Sequence, residues 1–194
     1  TDEVLIFDCG VGFPEEYLKG IDLLIPDFTY LSTIKSKKFN LLITHGHEDH
    51  NNSKIIKGVE DGVNPFVIAG PGEYEKSGVN VVGVSSFHDD EEGRQRGKNT
   101  IYNITVDEVN IVHLGDLGQS KLSQDQVEAL SSCDVLLIPV GGTYTIDAKV
   151  APDIIAQLEP KIVVPMHYKL EKLKFPLDDA SGFLKQMGKE NIEA

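Results

Sequence analysis

The sequence predicts an α/β fold, because short apolar runs recur along the chain with helical stretches between some of them. Several of these runs are apolar on both faces, which is typical of strands covered on two sides. Strands mixed with helices favour a layered architecture. The chain has 194 residues, 40% of them hydrophobic, which suffices for one sizeable core. We therefore predict a single domain over residues 1–194.

Eight segments have the composition and length of strands. They are Val4–Phe7, Asn40–Thr44, Pro65–Gly70, Val79–Val84, Asn99–Val106, Val109–Gly115, Asp134–Val140 and Lys161–Met166. The glycine-rich stretches "PGEYE" and "PVGGTYT" lack the spacing of a phosphate-binding loop, so we predict that both are turns.

Two helices carry clear end signals. Ser123 and Gln126 have capping-box spacing, which predicts a helix running to about Ser131. Pro152 is expected in the first turn of a second helix, and Pro160 ends it. Weaker patterns predict helices near Tyr30–Ser36, Ser53–Val59 and Asp178–Met187.

The overall charge and the apolar pattern of the chain disfavour some functions. Acidic residues outnumber basic ones 31 to 18, and the net charge of −13 disfavours broad nucleic-acid binding without excluding it. No apolar run approaches the roughly 20 residues of a membrane span. The start of the chain shows no signal peptide, and Cys9 lies far from Cys133. We therefore expect reduced cysteines and a cytoplasmic location.

Three of the chain's six histidines lie in the segment "THGHEDH", together with two carboxylates. Such a cluster is costly to bury without partners, so it is either a solvated polar loop or a cation site. His45 and His47 are two residues apart and can share one metal ion in an extended loop. Asp49 and His50 can then face a second position. Imidazole with carboxylate suits Zn²⁺, Mn²⁺ or iron.

The remaining histidines each lie in an apolar strand or directly after one. His88 and His167 follow strands, and strand ends reach the rim of a sheet, where open α/β sheets place their sites. Asp116, in "HLGD", is a candidate for bridging two cations. Alone, each histidine would be interpreted as a core or capping residue, but together with "HGHEDH" they favour a metal site. His113 lies within a strand and is predicted to be a packed histidine or to support a ligand, with a substrate role as the alternative.

"THGHEDH" fits the H-x-H-x-D-H signature of the metallo-β-lactamase superfamily, which the chain therefore resembles. Residues 51–188 are similar to the L-ascorbate-6-phosphate-lactonase-like branch, and we assign 51–194 to this part of the domain. The similar phrases are "PFVIAGPGEYE", "GVSSFHD", "RGKNTIY", "IVHLGDLGQ", "LLIPVGGTYTIDA" and "PKIVVPMHYK". Residues 1–50 resemble the opening of ribonuclease J, without that nuclease's inserted β-CASP domain. Two resemblances in one chain are typical of a chimera or of a divergent relative.

The resemblance implies an αββα sandwich with a dinuclear centre holding two divalent cations, zinc first, with manganese or iron as alternatives. It places His45, His47 and His88 on one ion. Asp49, His50 and His167 would hold the other, with Asp116 bridging. A metal-bridging hydroxide would attack the substrate, and Asp49 would also orient it. Asp49 and Asp116 are therefore the predicted catalytic residues.

The resemblance also raises an expectation about the first strand. Members of the superfamily usually have a β-hairpin before the strand that begins this chain, and no such hairpin is visible here. An apolar edge without a neighbour invites pairing with another chain. We therefore predict oligomerisation through Val4–Phe7, or lowered stability.

Several residues around the ligands are candidates for weaker roles. Asp8 is expected to support the histidine loop or to cap a turn. Arg94 and Arg96 would clamp an anionic group of the substrate, or would simply lie in a solvated hairpin tip. The candidates for contacting substrate are Tyr144, Tyr168 and Lys169.

The sequence thus favours a dinuclear metal hydrolase acting on a small anionic substrate, such as a phosphorylated lactone or a phosphoester. A metal-dependent ribonuclease or phosphodiesterase is the first alternative. A metal-binding but catalytically silent scaffold, or an engineered fusion, is the second.

Overall fold

The structure is a computed structural model that describes residues 3–8, 38–47, 50–51, 66–76, 78–170 and 175–188. The chain forms two compact units, residues 1–70 and residues 71–194. The predicted helices at 30–36 and 53–59 lie outside the described residues. In the described part of the chain, no helix is long and apolar enough to cross a membrane.

The described residues of the first unit form three parallel strands in the order β1-β2-β3. They are β1 (Glu3–Phe7), β2 (Lys38–Ile43) and β3 (Phe66–Ala69), which confirms three of the predicted strands. Leu41 and Leu42 point to opposite faces of β2, and both are fully buried. Both faces of β2 are therefore covered, as the sequence predicts for several of the apolar runs.

The second unit is built on a six-stranded sheet in the order β4-β5-β6-β7-β8-β9. The strands are β4 (Gly72–Lys76), β5 (Val79–Phe87), β6 (Lys98–Val106), β7 (Val109–His113), β8 (Val135–Pro139) and β9 (Ile162–Met166). Strands β4 to β7 pair antiparallel, and β7, β8 and β9 pair parallel. Strands β5, β7, β8 and β9 therefore run in the same direction, and their carboxyl ends lie at the same edge of the sheet.

Strand β4 corrects the sequence prediction, which assigned "PGEYE" to a turn. Gly72–Lys76 pairs antiparallel with β5, and the turn lies further on, where Gly78 has a φ of +82°. The half-buried Tyr74 lies between two exposed glutamates. This alternation is typical of a strand with one solvated face, and the glycine and proline at the start of the stretch obscured it.

The described residues of the second unit include three short helices, of which the first two begin where the sequence predicts and the third begins three residues after the predicted start at Asp178. They are α1 (Gln124–Ala129), α2 (Ala151–Leu158) and α3 (Ser181–Gln186). Ser123 and Gln126 form the predicted capping box, with bonds of 3.2 Å and 2.8 Å between side chain and backbone. Pro152 lies in the first turn of α2, which ends before Pro160.

These elements enclose an apolar core within the second unit. Its fully buried members include Leu114, Leu136 and Ile154. Cys133 lies in the same core, where burial raises the pKa of its thiol to about 11. A thiol with that pKa is almost wholly protonated at neutral pH, so Cys133 is a structural residue, as predicted. Cys9 lies outside the described residues.

Candidate metal centre

One carboxylate oxygen in the second unit lies between two imidazole rings. Asp116 Oδ2 is 3.4 Å from His88 Nε2 and 3.5 Å from His167 Nε2. The three residues follow β7, β5 and β9 respectively, so the common edge of the sheet brings them together. His88 and Asp116 are buried, and His167 is half-buried.

The chemistry and spacing of these three side chains fit a divalent cation. Hydrogen bonds between nitrogen and oxygen are usually 2.7–3.2 Å long, so both distances are longer than optimal ones. Two ligand atoms bound at about 2.1 Å in a tetrahedral site lie roughly 3.4 Å apart. The donor set therefore matches a metal site better than a hydrogen-bonded cluster.

Asn99 holds the Asp116 loop in place. Its Oδ1 accepts a 3.1 Å hydrogen bond from the Asp116 backbone N–H. Its Nδ2 donates to Ser86 Oγ at 2.8 Å and to the Leu114 carbonyl at 2.9 Å. Both amide hydrogens and the amide oxygen are therefore engaged, and the side chain is 1% exposed. Asn99 thereby fixes the backbone of the loop between β7 and Asp116.

The segment after Asp116 is bonded to the end of β5, directly before His88. The Gly118 N–H donates to the Phe87 carbonyl at 2.9 Å, and the Phe87 N–H donates to Gln119 Oε1 at 3.2 Å. The His88 N–H donates to the Gly97 carbonyl at 3.0 Å. The positions of the His88 and Asp116 backbones are therefore coupled.

Two glycines allow the ligand loops to approach neighbouring backbone. A Cβ on Gly118 would lie 2.3 Å from the carbonyl oxygen of His88, and a Cβ on Gly141 would lie 2.1 Å from that of His167. Real Cβ atoms do not approach backbone so closely. His167 itself has a φ of +51°, in the left-handed region that is uncommon for residues other than glycine. Strain of this kind is concentrated at functional sites.

The first unit holds the histidines of "THGHEDH" through Asp8. Asp8 accepts hydrogen bonds from the Thr44 N–H at 2.7 Å and from the Thr44 hydroxyl at 2.8 Å, and its Oδ2 is 3.0 Å from His50 Nδ1. Burial alone would raise the pKa of Asp8, but the hydrogen bond and charge of His50, with the two bonds from Thr44, keep this pKa below its usual value. Asp8 therefore both caps the turn after β2 and contacts the histidine loop.

These contacts assign the tautomers of two histidines. The single hydroxyl hydrogen of Thr44 goes to Asp8, so Thr44 Oγ1 must accept from His45 Nδ1, which is 3.1 Å away. An ionised Asp8 can only accept, so His50 Nδ1 carries a hydrogen as well. In neutral His45 and His50 the lone pair then lies on Nε2. Carboxylate or hydroxyl partners that set the ring in this way are typical of metal-binding histidines.

The rings of "THGHEDH" lie close together. The His45 ring centroid is 4.7 Å from that of His47 and 4.1 Å from that of His50. His45 and His47 offer ligand atoms within 4.8 Å of one another. Asp49 lies outside the described residues, so its predicted roles stay predictions.

Asp89, next to His88, organises the loop between β5 and β6. Its carboxylate accepts four backbone N–H groups at 2.7–3.0 Å, from Glu91, Gly93, Gln95 and Arg96. The burial of this carboxylate by itself would raise its pKa, but the four hydrogen bonds outweigh burial and lower the pKa to about 2. No role for Asp89 is predicted from the sequence.

Asp89 makes the loop sensitive to strong acid. Because its pKa is lowered in the folded state, its contribution is complete above the unfolded value near 4 and is lost as the pH falls through about 2. We expect hydrogen-exchange protection of the four amides to persist from pH 7 to about pH 3 and to fall towards pH 2. Asp89→Asn, which has one acceptor oxygen instead of two, should lose this protection even at pH 7. Unchanged amide protection in Asp89→Asn would contradict this role.

The remaining predicted residues differ in their environments. Tyr168 packs against the apolar core, and Lys169 is exposed, with its backbone N–H bonded to the Asp178 carbonyl at 2.9 Å. Tyr144 is 37% exposed. His113 is buried, and its Nδ1 accepts a 3.0 Å hydrogen bond from the Gly115 N–H, so the lone pair on that nitrogen is used within the protein.

The two arginines also differ. Arg94 is exposed and lies 3.8 Å from Glu92, as a solvated hairpin tip predicts. Arg96 is half-buried, and its Nη2 donates to the Thr143 carbonyl at 3.1 Å. The sequence predicts the same two alternatives for both arginines, whereas the structure gives them different environments.

Comparison with known proteins identifies the family. The sequence-family model of the β-lactamase superfamily domain matches residues 26–167, which is most of the chain. The chain belongs to the metallo-β-lactamase superfamily. A crystal structure of a Thermotoga maritima protein described as a Zn-dependent hydrolase of this superfamily is 40% identical and has a TM-score of 0.62, covering 75% of this chain and 67% of that one. The predicted superfamily and fold are therefore confirmed.

Two relatives match different parts of the chain. A metal-dependent hydrolase of Thermoplasma acidophilum is 31% identical over 146 residues, which cover 66% of this chain and 64% of the relative. Ribonuclease J of Helicobacter pylori is 54% identical over 46 residues, which are 24% of this chain and 7% of the nuclease. The chain thus spans just under two thirds of the first relative and a small part of the second.

Proposed function

We propose that this chain is a hydrolase that depends on divalent metal ions and acts on a small anionic substrate, such as a phosphorylated lactone or a phosphoester. The observation that carries the proposal is the position of Asp116 Oδ2, 3.4 Å and 3.5 Å from two imidazole nitrogens. Membership of the superfamily and the metal-dependent hydrolases among the relatives support it.

The proposal assigns seven residues as metal ligands in two groups that share Asp116. They are His45, His47 and His88 for one ion, and Asp49, His50 and His167 for the other. Zinc is the first candidate, with manganese or iron as alternatives. Such ions, when bound, supply Lewis-acid polarisation and the activation of water at neutral pH.

The chain's own residues prepare this chemistry. Asp8 keeps a hydrogen on Nδ1 of His50, and Thr44 keeps one on Nδ1 of His45. The Nε2 lone pair of each neutral ring is then the one available to bind a metal ion. Asn99 holds the Asp116 loop through the Asp116 backbone N–H rather than through its carboxylate. Because both arrangements are made by buried or part-buried hydrogen bonds within the protein, the ligands are positioned before a cation binds, which favours tight binding.

The first test is metal content by elemental mass spectrometry, followed by hydrolysis of a chromogenic phosphodiester, a phosphomonoester and a lactone. We expect about two equivalents of metal per chain and turnover that is abolished by a chelator and restored by added metal. A metal content near zero after reconstitution with zinc, manganese and iron would contradict the proposal. Full metal content without turnover on any of these substrates would favour the silent scaffold.

A ribonuclease is the second candidate, favoured by the 46 residues that are 54% identical to ribonuclease J of Helicobacter pylori. The net charge of −13 opposes it, because RNA is a polyanion. Cleavage of a labelled single-stranded RNA that is lost in Asp49→Ala would favour this candidate. Turnover of the small phosphodiester without RNA cleavage would exclude it.

A further inference from the structure

The chain contains two arginines, Arg94 and Arg96, and both lie in the loop that begins at His88. The Arg94 side chain is 76% exposed and lies beside Glu92. Arg96 is half-buried, and its guanidinium is bonded to the Thr143 carbonyl, 47 residues further along the chain. The Arg96 side chain is therefore fixed against a second loop, whereas the Arg94 side chain is solvated.

Arg96 is fixed at its backbone as well as at its guanidinium. Its N–H donates to Asp89 Oδ2 at 2.7 Å, the shortest of the four bonds to that carboxylate. The carbonyl of the next residue, Gly97, accepts from the His88 N–H at 3.0 Å. The position of Arg96 is therefore tied to that of His88.

The acceptor of the guanidinium, Thr143, lies in an unusual conformation. Its φ is +57°, and a β-branched residue with a positive φ is a genuine outlier. The loop containing it starts at Gly141, which has no room for a Cβ because of the His167 carbonyl. Arg96 thus connects the loop of His88 with the loop that packs against His167.

We propose that Arg96 binds the anionic group of the substrate and so selects anionic over neutral substrates, an inference that rests on the proposed hydrolase function. A guanidinium has five N–H donors in a planar fork, and Thr143 uses one of those of Arg96. The fork matches phosphate or carboxylate oxygens better than a lysine ammonium does. Because the net charge of −13 repels anions, a cation held between the loop of His88 and the loop of Thr143 would offset that repulsion locally.

The kinetic test compares Arg96→Gln and Arg96→Lys with Arg94→Gln as the matched control. On an anionic phosphoester, Arg96→Gln is expected to raise KM by about 10- to 100-fold, the usual strength of hydrogen bonds to a charged group, with a smaller change in kcat. Arg96→Lys should recover part of this loss. A neutral ester with the same leaving group should be hydrolysed equally well by wild type and both Arg96 variants, and Arg94→Gln should match wild type on both substrates.

A binding experiment tests the same residue without turnover. With two arginines in the chain, the NMR spectrum should contain two Nε–Hε signals, which the two glutamine variants assign. Inorganic phosphate is titrated into the metal-free protein at constant ionic strength, and we expect the Arg96 signal to shift while the Arg94 signal does not. Equal shifts of both signals, or none, would overturn the proposal.

The two experiments separate failure of the proposal from failure of the proposed function. If wild type hydrolyses none of the substrates but its Arg96 signal responds to phosphate, the proposed hydrolase function is wrong and the proposed anion site stands. If Arg96→Gln lowers metal content, Tm and turnover of both ester substrates together, Arg96 only connects the two loops, and its role in substrate selection is overturned.

Discussion

Asp116→Asn is expected to lower kcat/KM by about 10³-fold or more and to reduce the metal bound per chain. Asparagine has nearly the shape of aspartate but no negative charge, and its amide nitrogen cannot bind a metal ion. The atom affected is the carboxylate oxygen that lies 3.4 Å and 3.5 Å from His88 and His167. The backbone N–H of residue 116 can still donate to Asn99, so the loop should keep its fold.

Melting temperatures with and without zinc separate a lost site from a lost fold. Wild type should melt at a higher temperature with zinc than with a chelator, because a ligand that binds the folded state stabilises it. Asp116→Asn should show a much smaller zinc-dependent rise, and in chelator it should melt no lower than wild type, since burying a carboxylate is costly. Asp125→Asn, an exposed carboxylate in the first turn of α1, is the control and should behave as wild type. A full zinc-dependent rise in Asp116→Asn would count against a metal role for Asp116.

The parts of this protein that the sequence predicts are those set by local pattern. Apolar runs such as "DVLLIPV" are predictable as strands because their composition and length, which are local properties, already favour a buried strand. Ser123 and Gln126 cap α1 through bonds that span three residues. "THGHEDH" carries a ligand spacing that few other functions require. The second unit then brings His88 and His167 to Asp116 because their strands run parallel and end at the same edge.

The parts that the sequence analysis missed depend on partners distant in sequence. Asn99 is one polar residue at the start of a strand, and its role comes from Asp116, 17 residues later. Gly118 and Gly141 look like ordinary turn glycines, and only the nearby backbone of His88 and His167 makes them necessary. Gly118 lies two residues after the predicted ligand Asp116, whereas Gly141 follows β8, which leads to no predicted ligand, so no common local signal marked the two glycines. Asp89 was obscured because its four hydrogen-bond donors are backbone groups, which leave no mark in the sequence.

Gly118→Ala and Gly141→Ala are each expected to lower the free energy of unfolding by about 2–4 kcal/mol, in the upper range for single substitutions. The alanine methyl would lie 2.3 Å from two backbone atoms of His88 in the first variant and 2.1 Å from the His167 carbonyl oxygen in the second. Backbone cannot rotate away as a side chain can, so the ligand loop itself must move. Both variants should therefore bind metal more weakly, even in the fraction that folds.

Gly182→Ala provides the matched control, because it makes the same chemical change at a site with room. The new methyl would lie 3.5 Å from Ala148 Cβ, an ordinary contact, and residue 182 is within α3. Alanine is the better helix former, so stability should stay equal or rise by about 0.5–1 kcal/mol. Urea unfolding gives the three free energies, and a zinc titration under native conditions gives the affinities. If Gly118→Ala and Gly141→Ala lost stability but kept wild-type zinc affinity, the close contacts of these glycines with the His88 and His167 backbones would stabilise the fold without positioning the ligands. Loss of both in these two variants, with neither lost in Gly182→Ala, would mean that the missing Cβ atoms position His88 and His167.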